Sequence, residues 1–245
     1  MAKQYIERIR LNKEIEPDSF LKNVPAIKYL IQEKELSFNC PVTFIIGENG
    51  TGKSTLLEGI AVAYGFNAEG GSRNFNFSTV NTHANLHEYL TIIKTAYPKD
   101  GYFLRAESFY NVASNIDELD KELPLLNSYG GRSLHAQSHG ESFMALIENR
   151  FGGNGLYILD EPEAALSPQR LMTLLIDIHE LVKRHSQFII ATHSPILLAY
   201  PNAEIYQITE DGIDLTTYQN TNHYQLTKQF LENYEQFIHQ LLDES

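Results

Sequence analysis

Val42–Thr55 reads VTFIIGENGTGKST, and its second half fits the pattern G-x-x-x-x-G-K-[ST] at every defined position. The first half is a short run of β-favouring residues, which predicts a buried strand, and Ser54–Tyr64 is helix-like. Glycines between a strand and a helix let successive N–H groups point at a phosphate, and the helix N-terminus adds partial positive charge. We therefore predict a phosphate-binding loop formed by Gly47, Asn49, Gly50, Thr51, Gly52, Lys53, Ser54 and Thr55.

Two side chains of this loop have predicted roles toward a nucleoside triphosphate. Lys53 reaches the β- and γ-phosphates as a point charge, and the Ser54 hydroxyl is a ligand for Mg²⁺. ATP and Mg²⁺ are therefore the expected ligand and cofactor. A chance glycine-rich turn is the alternative interpretation, and the predicted strand and helix on either side of the loop weigh against it.

A second apolar run ends in two acids. Leu156–Leu159 is followed directly by Asp160 and Glu161. In P-loop enzymes an aspartate at the end of such a strand holds Mg²⁺, which is the role predicted for Asp160. A second carboxylate beside it can polarise the attacking water, so Glu161 is the predicted catalytic base. A solvated Asp-Glu-Pro turn is the alternative, and the phosphate loop upstream favours the functional interpretation.

Ser138-His139-Gly140-Glu141 has the spacing of a capping box, in which Ser138 caps a helix and Glu141 returns a hydrogen bond three residues later. The same geometry exposes a hydroxyl, a glycine without side-chain bulk and a helix N-terminus, which together suit a γ-phosphate. Both interpretations hold at once, because a good cap orients an anion site. Ser138, Gly140 and Glu141 are therefore predicted to contact the nucleotide.

The order of the elements predicts an α/β fold with a mainly parallel sheet flanked by helices. Phe188–Ala191 is a further apolar run, and a helix capped by Ser167 with Pro168 in its first turn precedes it. Strand–helix–strand order implies crossover connections between parallel strands. A hairpin-like stretch at Ile205–Tyr218 adds a small antiparallel portion. The tail is predicted to be one amphipathic helix with an apolar face formed by Leu226, Phe230, Phe237 and Leu241.

The composition limits the class of protein. The chain has 245 residues, a formal net charge of -12 and one cysteine, Cys40, which excludes an internal disulfide framework and suits a reducing compartment. No apolar run approaches the roughly 18–20 residues needed to cross a bilayer. We expect one cytoplasmic domain over residues 1–245, with no membrane insertion. The negative net charge disfavours non-specific DNA binding by the chain alone. DNA contacts through a local basic patch or through a partner protein remain an alternative.

Taken in order, these motifs resemble those of the ABC ATPase family. Gly47–Ser54 looks like its Walker A loop, and Leu156–Glu161 looks like its Walker B strand. Ser138–Glu141 is similar to its signature sequence. Ala165–Ser167 resembles its D-loop, and His193 resembles its switch histidine. The resemblance covers roughly residues 40–195, with a helical signature subregion at about 85–150.

The resemblance implies an ATP site that is shared between two subunits. In that family two domains pair head to tail, and each ATP lies between one Walker A loop and the signature sequence of the other domain. Ser138 and Gly140 would then complete the partner's site, His193 would contact the γ-phosphate, and ATP binding would produce a homodimer. Hydrolysis would depend on closure of that dimer.

The sequence departs from the family pattern at two places. His139 and Glu141 stand where the signature usually has glycine and glutamine. Glu107 is the nearest residue to the position of the usual Q-loop glutamine, and a carboxylate there is an expected further ligand of Mg²⁺ or water.

Three roles stay open for such an ATPase. The run DEPEAALS at Asp160–Ser167 looks more like soluble ATPases related to SMC and RecF-like heads, which act in genome maintenance or defence against foreign DNA, than like transporter subunits, which usually have DEPT. The chain could instead be the nucleotide-binding subunit of a membrane transporter. A slow nucleotide-dependent dimer switch is the third possibility.

Overall fold

The computed structural model describes residues 4–72, 85–120 and 131–242. Its centre is a seven-stranded sheet, and a three-stranded sheet lies beside it. The strands in chain order are β1 (Arg8–Leu11), β2 (Glu35–Ser37), β3 (Val42–Gly47), β4 (Gly71–Ser72), β5 (Leu90–Ile93), β6 (Asp100–Arg105), β7 (Gly155–Asp160), β8 (Gln187–Ala191), β9 (Glu204–Ile208) and β10 (Ile213–Thr216).

The large sheet has the order β10-β9-β3-β8-β7-β6-β4. Its five inner strands pair in parallel, and the edge strands β4 and β10 pair antiparallel with their neighbours. The small sheet has the order β2-β1-β5 and is antiparallel throughout. The predicted α/β class, with a mainly parallel sheet and a small antiparallel portion, is confirmed.

The helices that accompany the sheets begin where the sequence places caps. Ser138 and Ser167 are the N-cap residues of two of them, as predicted. Within the described ranges, none of the helices has both the length and the apolar character needed to cross a membrane. The α-helices are α1 (Pro25–Glu33), α2 (Lys53–Tyr64), α3 (Phe109–Asp120), α4 (His139–Arg150), α5 (Pro168–Lys183), α6 (Pro195–Leu198), α7 (Asn222–Glu232) and α8 (Tyr234–Leu242).

The large sheet separates two hydrophobic cores, because successive side chains of a strand point to opposite faces. Phe44 and Ile46 belong to one core, together with buried residues of α3, α4, α5 and α6. Ile45 lies in the other core with buried residues of α1, α2 and the small sheet. Every residue of β3, β7 and β8 is buried, as expected for parallel strands that are covered on both faces. The ends of these strands are therefore held in fixed positions.

The tail differs from its predicted form. The chain leaves the helical conformation at Asn233, so that two helices, α7 and α8, replace the single helix expected there. Asparagine competes with the helix by local hydrogen bonding and favours helix ends. The rings of Phe230 and Phe237 meet across the break with centroids 5.9 Å apart. Leu226 and Leu241 are 62% and 69% exposed, so the predicted common face is wrong.

The region expected to form a helical subregion at about 85–150 is mixed. Its α-helices are α3 and α4, whereas β5 and β6 occupy much of its first part. Leu90-Thr91-Ile92-Ile93 is rich in β-branched residues, which favour a strand. Residues 121–130 of this region lie outside the described residues.

Candidate functional site

At two positions, the loop between β3 and α2 has a backbone conformation that only glycine adopts readily. Gly50 and Gly52 have φ angles of 84° and 94°. A Cβ atom at Gly52 would lie 2.1 Å from Cγ1 of Val24, so a larger residue does not fit there. At Gly50 no atom of the described chain lies within 4 Å of the corresponding position. The loop is thus closely packed on its inner side and open beside Gly50, which leaves space for a ligand.

Lys53 lies in the first turn of α2 and is buried. Its Nζ donates hydrogen bonds to the carbonyl oxygens of Gly47, at 2.8 Å, and Glu48, at 3.1 Å. Burial lowers the pKa of Lys53, and the nearby carboxylates of Glu161 and Asp160 oppose that shift. Both hydrogen-bond acceptors are neutral, so the charge of a protonated Lys53 remains available to an anion on the loop.

Ser54 and Asp160 bring the loop and the end of β7 together. The Ser54 hydroxyl donates to Oδ1 of Asp160 at 3.1 Å, and Nε of Arg105 lies 3.9 Å from Oδ2. Asp160 is only 6% exposed, and this burial raises its pKa to about 6, against the opposing effect of Arg105. Hydroxyl and carboxylate oxygens are the ligands that Mg²⁺ prefers. The pair Ser54 and Asp160 therefore fits a magnesium ion bound beside nucleotide phosphates.

Glu161 has a strained backbone at the end of β7. Its φ and ψ are 52° and 53°, in the left-handed region, which costs about 1–3 kcal/mol for a residue other than glycine. Its N–H donates to the carbonyl oxygen of Ala191 at 3.0 Å, so β8 fixes this conformation. The carboxylate is 40% exposed, and its Oε1 lies 3.6 Å from Nε2 of His193. Strain of this kind often accompanies a functional side chain.

His193 follows β8 and contacts three other elements. Its backbone N–H donates to Oε1 of Glu163, and its Nε2 faces Glu161. Its Nδ1 lies 3.0 Å from Nε2 of His223, in the first turn of α7. The His193 Nε2 atom is buried, and within the described residues it has no hydrogen-bond partner. A buried N–H or lone pair without a partner is rare, and the Glu161 carboxylate that faces this atom at 3.6 Å is its ion-pair neighbour among the described residues.

An open cleft of about 400 Å³ lies over the loop. Asp160 and His193 contact this cleft's lining through Ser54 and Glu161 respectively. Gly47 and Thr51 line an adjoining cavity that also includes His223. The structure thus brings the two predicted acids and the loop together. The residues that line the cleft are Val24, Asn49, Gly50, Gly52, Lys53, Ser54, Thr55, Glu107 and Glu161.

Glu107 lies at the rim of the cleft, where its side chain is 85% exposed. Its Oε2 is 3.4 Å from Nη2 of Arg105, and Nη1 of the same arginine donates to Oε2 of Glu58 at 2.8 Å. Arg105 therefore lies between α2, the rim of the cleft and Asp160. Glu107 is placed near the cleft but contacts neither Ser54 nor Asp160 among the hydrogen bonds and ion pairs of the described residues.

The signature-like segment forms the predicted capping box. The N–H and hydroxyl of Ser138 donate to Oε2 of Glu141 at 2.9 and 2.6 Å, and these hydrogen bonds lower the pKa of Glu141. A Cβ at Gly140 would lie 2.3 Å from Nη1 of Arg170 and 2.8 Å from the carbonyl oxygen of Ala165. Ser138, Gly140 and Glu141 are absent from the described lining of the cleft over the phosphate loop. Contacts within the chain hold this segment in place. It does not face the cleft over the phosphate loop of the same chain.

Sequence reasoning missed two residues of this site. His223 was not expected because it lies in the tail, 30 residues beyond its contact His193. Arg105 belongs to none of the motifs, although it lies two residues before Glu107 and its side chain approaches Asp160. Long-range contacts of this kind carry no local pattern in the sequence.

Two family models match adjoining stretches of the chain. The first is described as an AAA domain and matches residues 21–128. The second is described as "AAA domain, putative AbiEii toxin, Type IV TA system" and matches residues 134–199. No curated protein matches the chain significantly.

Solved structures with a similar fold include cbiO1 from Clostridium perfringens, part of the ABC transporter complex cbiONQ. It is 18% identical, with a TM-score of 0.52 and coverage of 98% of this chain and 99% of that one. A nucleotide-free ATP-binding cassette from an ABC transporter is 19% identical, with a TM-score of 0.49 and coverage of 94% and 96%. The SMC head domain from Thermotoga maritima is 14% identical, with a TM-score of 0.44 and coverage of 87% and 99%.

The likeness to cbiO1 shows a shared fold of the P-loop ATPase class, and both family models are described as AAA domains. The sheet order and the loop at Gly47–Thr55 agree with that class. The chain therefore has the fold of an ABC-type P-loop ATPase domain.

Proposed function

We propose that residues 1–245 act as one domain that binds ATP with Mg²⁺ on the loop at 47–55 and hydrolyses it with Glu161. The observation that carries the proposal is the meeting of three separate segments at one cleft. Lys53 and Ser54 come from α2, Asp160 and Glu161 from the end of β7, and His193 from the segment after β8. Hydrogen bonding and close contact already join them, so the site is largely preformed.

The residues divide the work of phosphoryl transfer. The first-turn N–H groups of α2 and the Lys53 ammonium bind the phosphates, because Gly52 has no side chain with which to cap this helix. Ser54 and Asp160 would hold Mg²⁺, which neutralises negative charge on the phosphate oxygens when bound. Glu161 orients a water molecule and accepts its proton. His193 uses Nε2 to contact either Glu161 or a phosphate oxygen.

The nucleotide is proposed to lie between two copies of the chain. Ser138 and Gly140 are ordered at the start of α4 but do not line the cleft over the phosphate loop. A second subunit that is placed head to tail would bring this segment to the γ-phosphate, and Glu141 would remain the capping partner of Ser138. The capping box supports this role because it holds Ser138 at the exposed start of α4, while Gly140 packs against Arg170 and Ala165 of its own chain.

The biological role is proposed to be maintenance of DNA or defence against foreign DNA. The run DEPEAALS at Asp160–Ser167, which resembles soluble ATPases of genome maintenance or defence, supports this role, and the second matching model is described in terms of a toxin–antitoxin system. The net charge of -12 means that a partner protein, or a local patch, would have to supply most DNA contacts. A transporter subunit and a slow dimer switch are the alternatives, and each gives a different biochemical result.

Calorimetric titration with ATP and ADP, in Mg²⁺ and in EDTA, tests the binding step. We expect binding that is tighter with Mg²⁺, and no binding under either condition would contradict the proposal. ATPase rates with added DNA, RNA or lipid vesicles then separate the roles. Salt-sensitive stimulation by DNA supports the proposed role. Co-purification with a polytopic membrane protein favours a transporter, and very slow turnover with nucleotide-dependent partner binding favours a switch.

A further inference from the structure

His223 belongs to the tail, yet it lies in the nucleotide site. Its Nε2 is 3.0 Å from Nδ1 of His193. Thr221 is fully buried at the start of α7, where its hydroxyl donates to the Tyr218 carbonyl and accepts from the Tyr224 N–H. His223 is therefore held in the first turn of a firmly capped helix, and its contact with His193 has a defined geometry.

The His193–His223 contact requires one shared proton, since a hydrogen bond between two neutral imidazoles needs one donor and one acceptor. If His193 donated from Nδ1, its neutral Nε2 would present a lone pair to Oε1 of Glu161, 3.6 Å away. Two acceptors would then face each other in a partly buried site. If His223 donates from Nε2, His193 instead carries its proton on Nε2 and presents an N–H to the Glu161 carboxylate. The second arrangement is electrostatically favoured.

The other ring nitrogen of His223 agrees with this arrangement. Its Nδ1 is buried and lacks a hydrogen-bond partner within the described residues. When Nε2 of neutral His223 carries the proton, Nδ1 is a bare acceptor, and buried acceptors without partners are more readily tolerated than buried N–H groups. Burial and the neighbouring His193 lower the pKa of His223, which also favours the neutral ring.

We propose that His223 is a positioning residue for ATP hydrolysis, which holds His193 in the Nε2–H tautomer through a hydrogen bond from α7. The inference rests on the proposed ATPase function. In this tautomer His193 can donate to Glu161 or to a phosphate oxygen, which the other neutral tautomer cannot do. The same contact ties the tail helices to the cavity beside the phosphate loop, since His223 also lines that cavity with Glu48 and Asn49.

The direct test is the tautomer of His193 in the nucleotide-free protein. Long-range ¹H–¹⁵N NMR distinguishes the two ring nitrogens, and the His193 signals are assigned from a His193→Gln sample. The measurement is made well above the ordinary histidine pKa of about 6.5. We expect the Nε2–H form in the native chain and a shift toward a mixture of tautomers in His223→Leu. An Nδ1–H form in the native chain, or an unchanged tautomer in the variant, would overturn the inference whether or not ATP is hydrolysed.

Kinetics provide the second readout. We expect His223→Leu to lower kcat roughly 10–100-fold with little change in KM, a range typical for loss of a residue that orients a catalytic group. His223→Gln should recover much of kcat, because the glutamine amide can donate from nearly the same place. The control is His179→Leu, since His179 is an exposed histidine whose Nδ1 contacts the Tyr200 hydroxyl.

The kinetic outcomes also separate this inference from the proposed function. Equal kcat in His223→Leu and the native chain, with both proteins shown to be folded by circular dichroism, would overturn the inference that His223 positions His193. A native chain that has the expected tautomer but no ATPase activity would instead refute the proposed function and leave the His223–His193 hydrogen bond supported.

Discussion

The Ser54 hydroxyl lies 3.1 Å from Oδ1 of Asp160, although the two residues are 106 positions apart in the chain. This hydrogen bond connects the first turn of α2 with the end of β7. Its two oxygens are the ones assigned to Mg²⁺ in the proposed function. A bound cation would replace a hydrogen bond that already holds both side chains in place, so little rearrangement would be needed.

Lys53→Ala is expected to weaken ATP binding about 10–100-fold. The substitution removes a charge-assisted interaction with the phosphates, which contributes about 1.5–3 kcal/mol. Calorimetric titration with ATP measures the effect. Lys183→Ala is the matched control, because Lys183 is an exposed lysine that pairs with Glu180 on α5. Equal affinity in Lys53→Ala and the native chain would show that this lysine does not bind the phosphates.

Asp160→Asn is expected to stabilise the chain in EDTA and without nucleotide. The folded-state pKa of Asp160 is raised from 3.8 to about 6 by burial, so between these values the folded chain binds more protons than the unfolded chain. The native chain therefore loses stability from this group as pH rises from about 4 to 6, and the loss persists at pH 7.

The stability difference between Asp160→Asn and the native chain should grow over that pH window, to at most ~3 kcal/mol at pH 7. Denaturant unfolding at a series of pH values measures this difference. Because the other acids are the same in both proteins, their contributions to the free energy of unfolding cancel when one value is subtracted from the other. The same variant should lose the stabilisation that Mg²⁺ with ATP gives the native chain. A variant that is less stable than the native chain at pH 7 would contradict the assigned environment of Asp160.

Mixing two inactive variants tests the shared site. Lys53→Ala should impair one side of each composite site, and Ser138→Arg should impair the other. A heterodimer then contains one site with both defects and one site with neither, so ATPase activity should return on mixing. Light scattering or tagged co-purification establishes that heterodimers form. Confirmed heterodimers without recovered activity would indicate that Ser138 does not act in the partner's site.

The sequence predicts the parts of this molecule that have a local signature. The phosphate loop, the acidic end of β7 and the caps Ser138 and Ser167 each combine a few adjacent residues with a clear physical requirement. The parallel sheet follows from the order of buried strands and helices. These predictions depend only on neighbours in the chain, and the strands, helices and caps lie where they are predicted, while the binding and catalytic roles stay predictions.

Other features depend on contacts that the sequence does not display. The contact between His193 and His223 arises because the tail returns to the end of β8, and no periodic pattern marks that return. The break at Asn233 depends on a single residue within an otherwise amphipathic run. Glu107 lies at the rim 3.4 Å from Arg105, which also pairs at 2.8 Å with Glu58 on α2.

The rate of ATP hydrolysis by Glu161→Gln tests the central claim most directly. We expect ATP affinity close to that of the native chain, turnover reduced by about 10²–10⁴-fold, and dimers that accumulate in light scattering because hydrolysis no longer releases them. Glu180→Gln, which changes an exposed glutamate on α5, should hydrolyse ATP at the native rate. Native turnover in Glu161→Gln, with ATP bound normally, would contradict the assignment of Glu161 as the catalytic base.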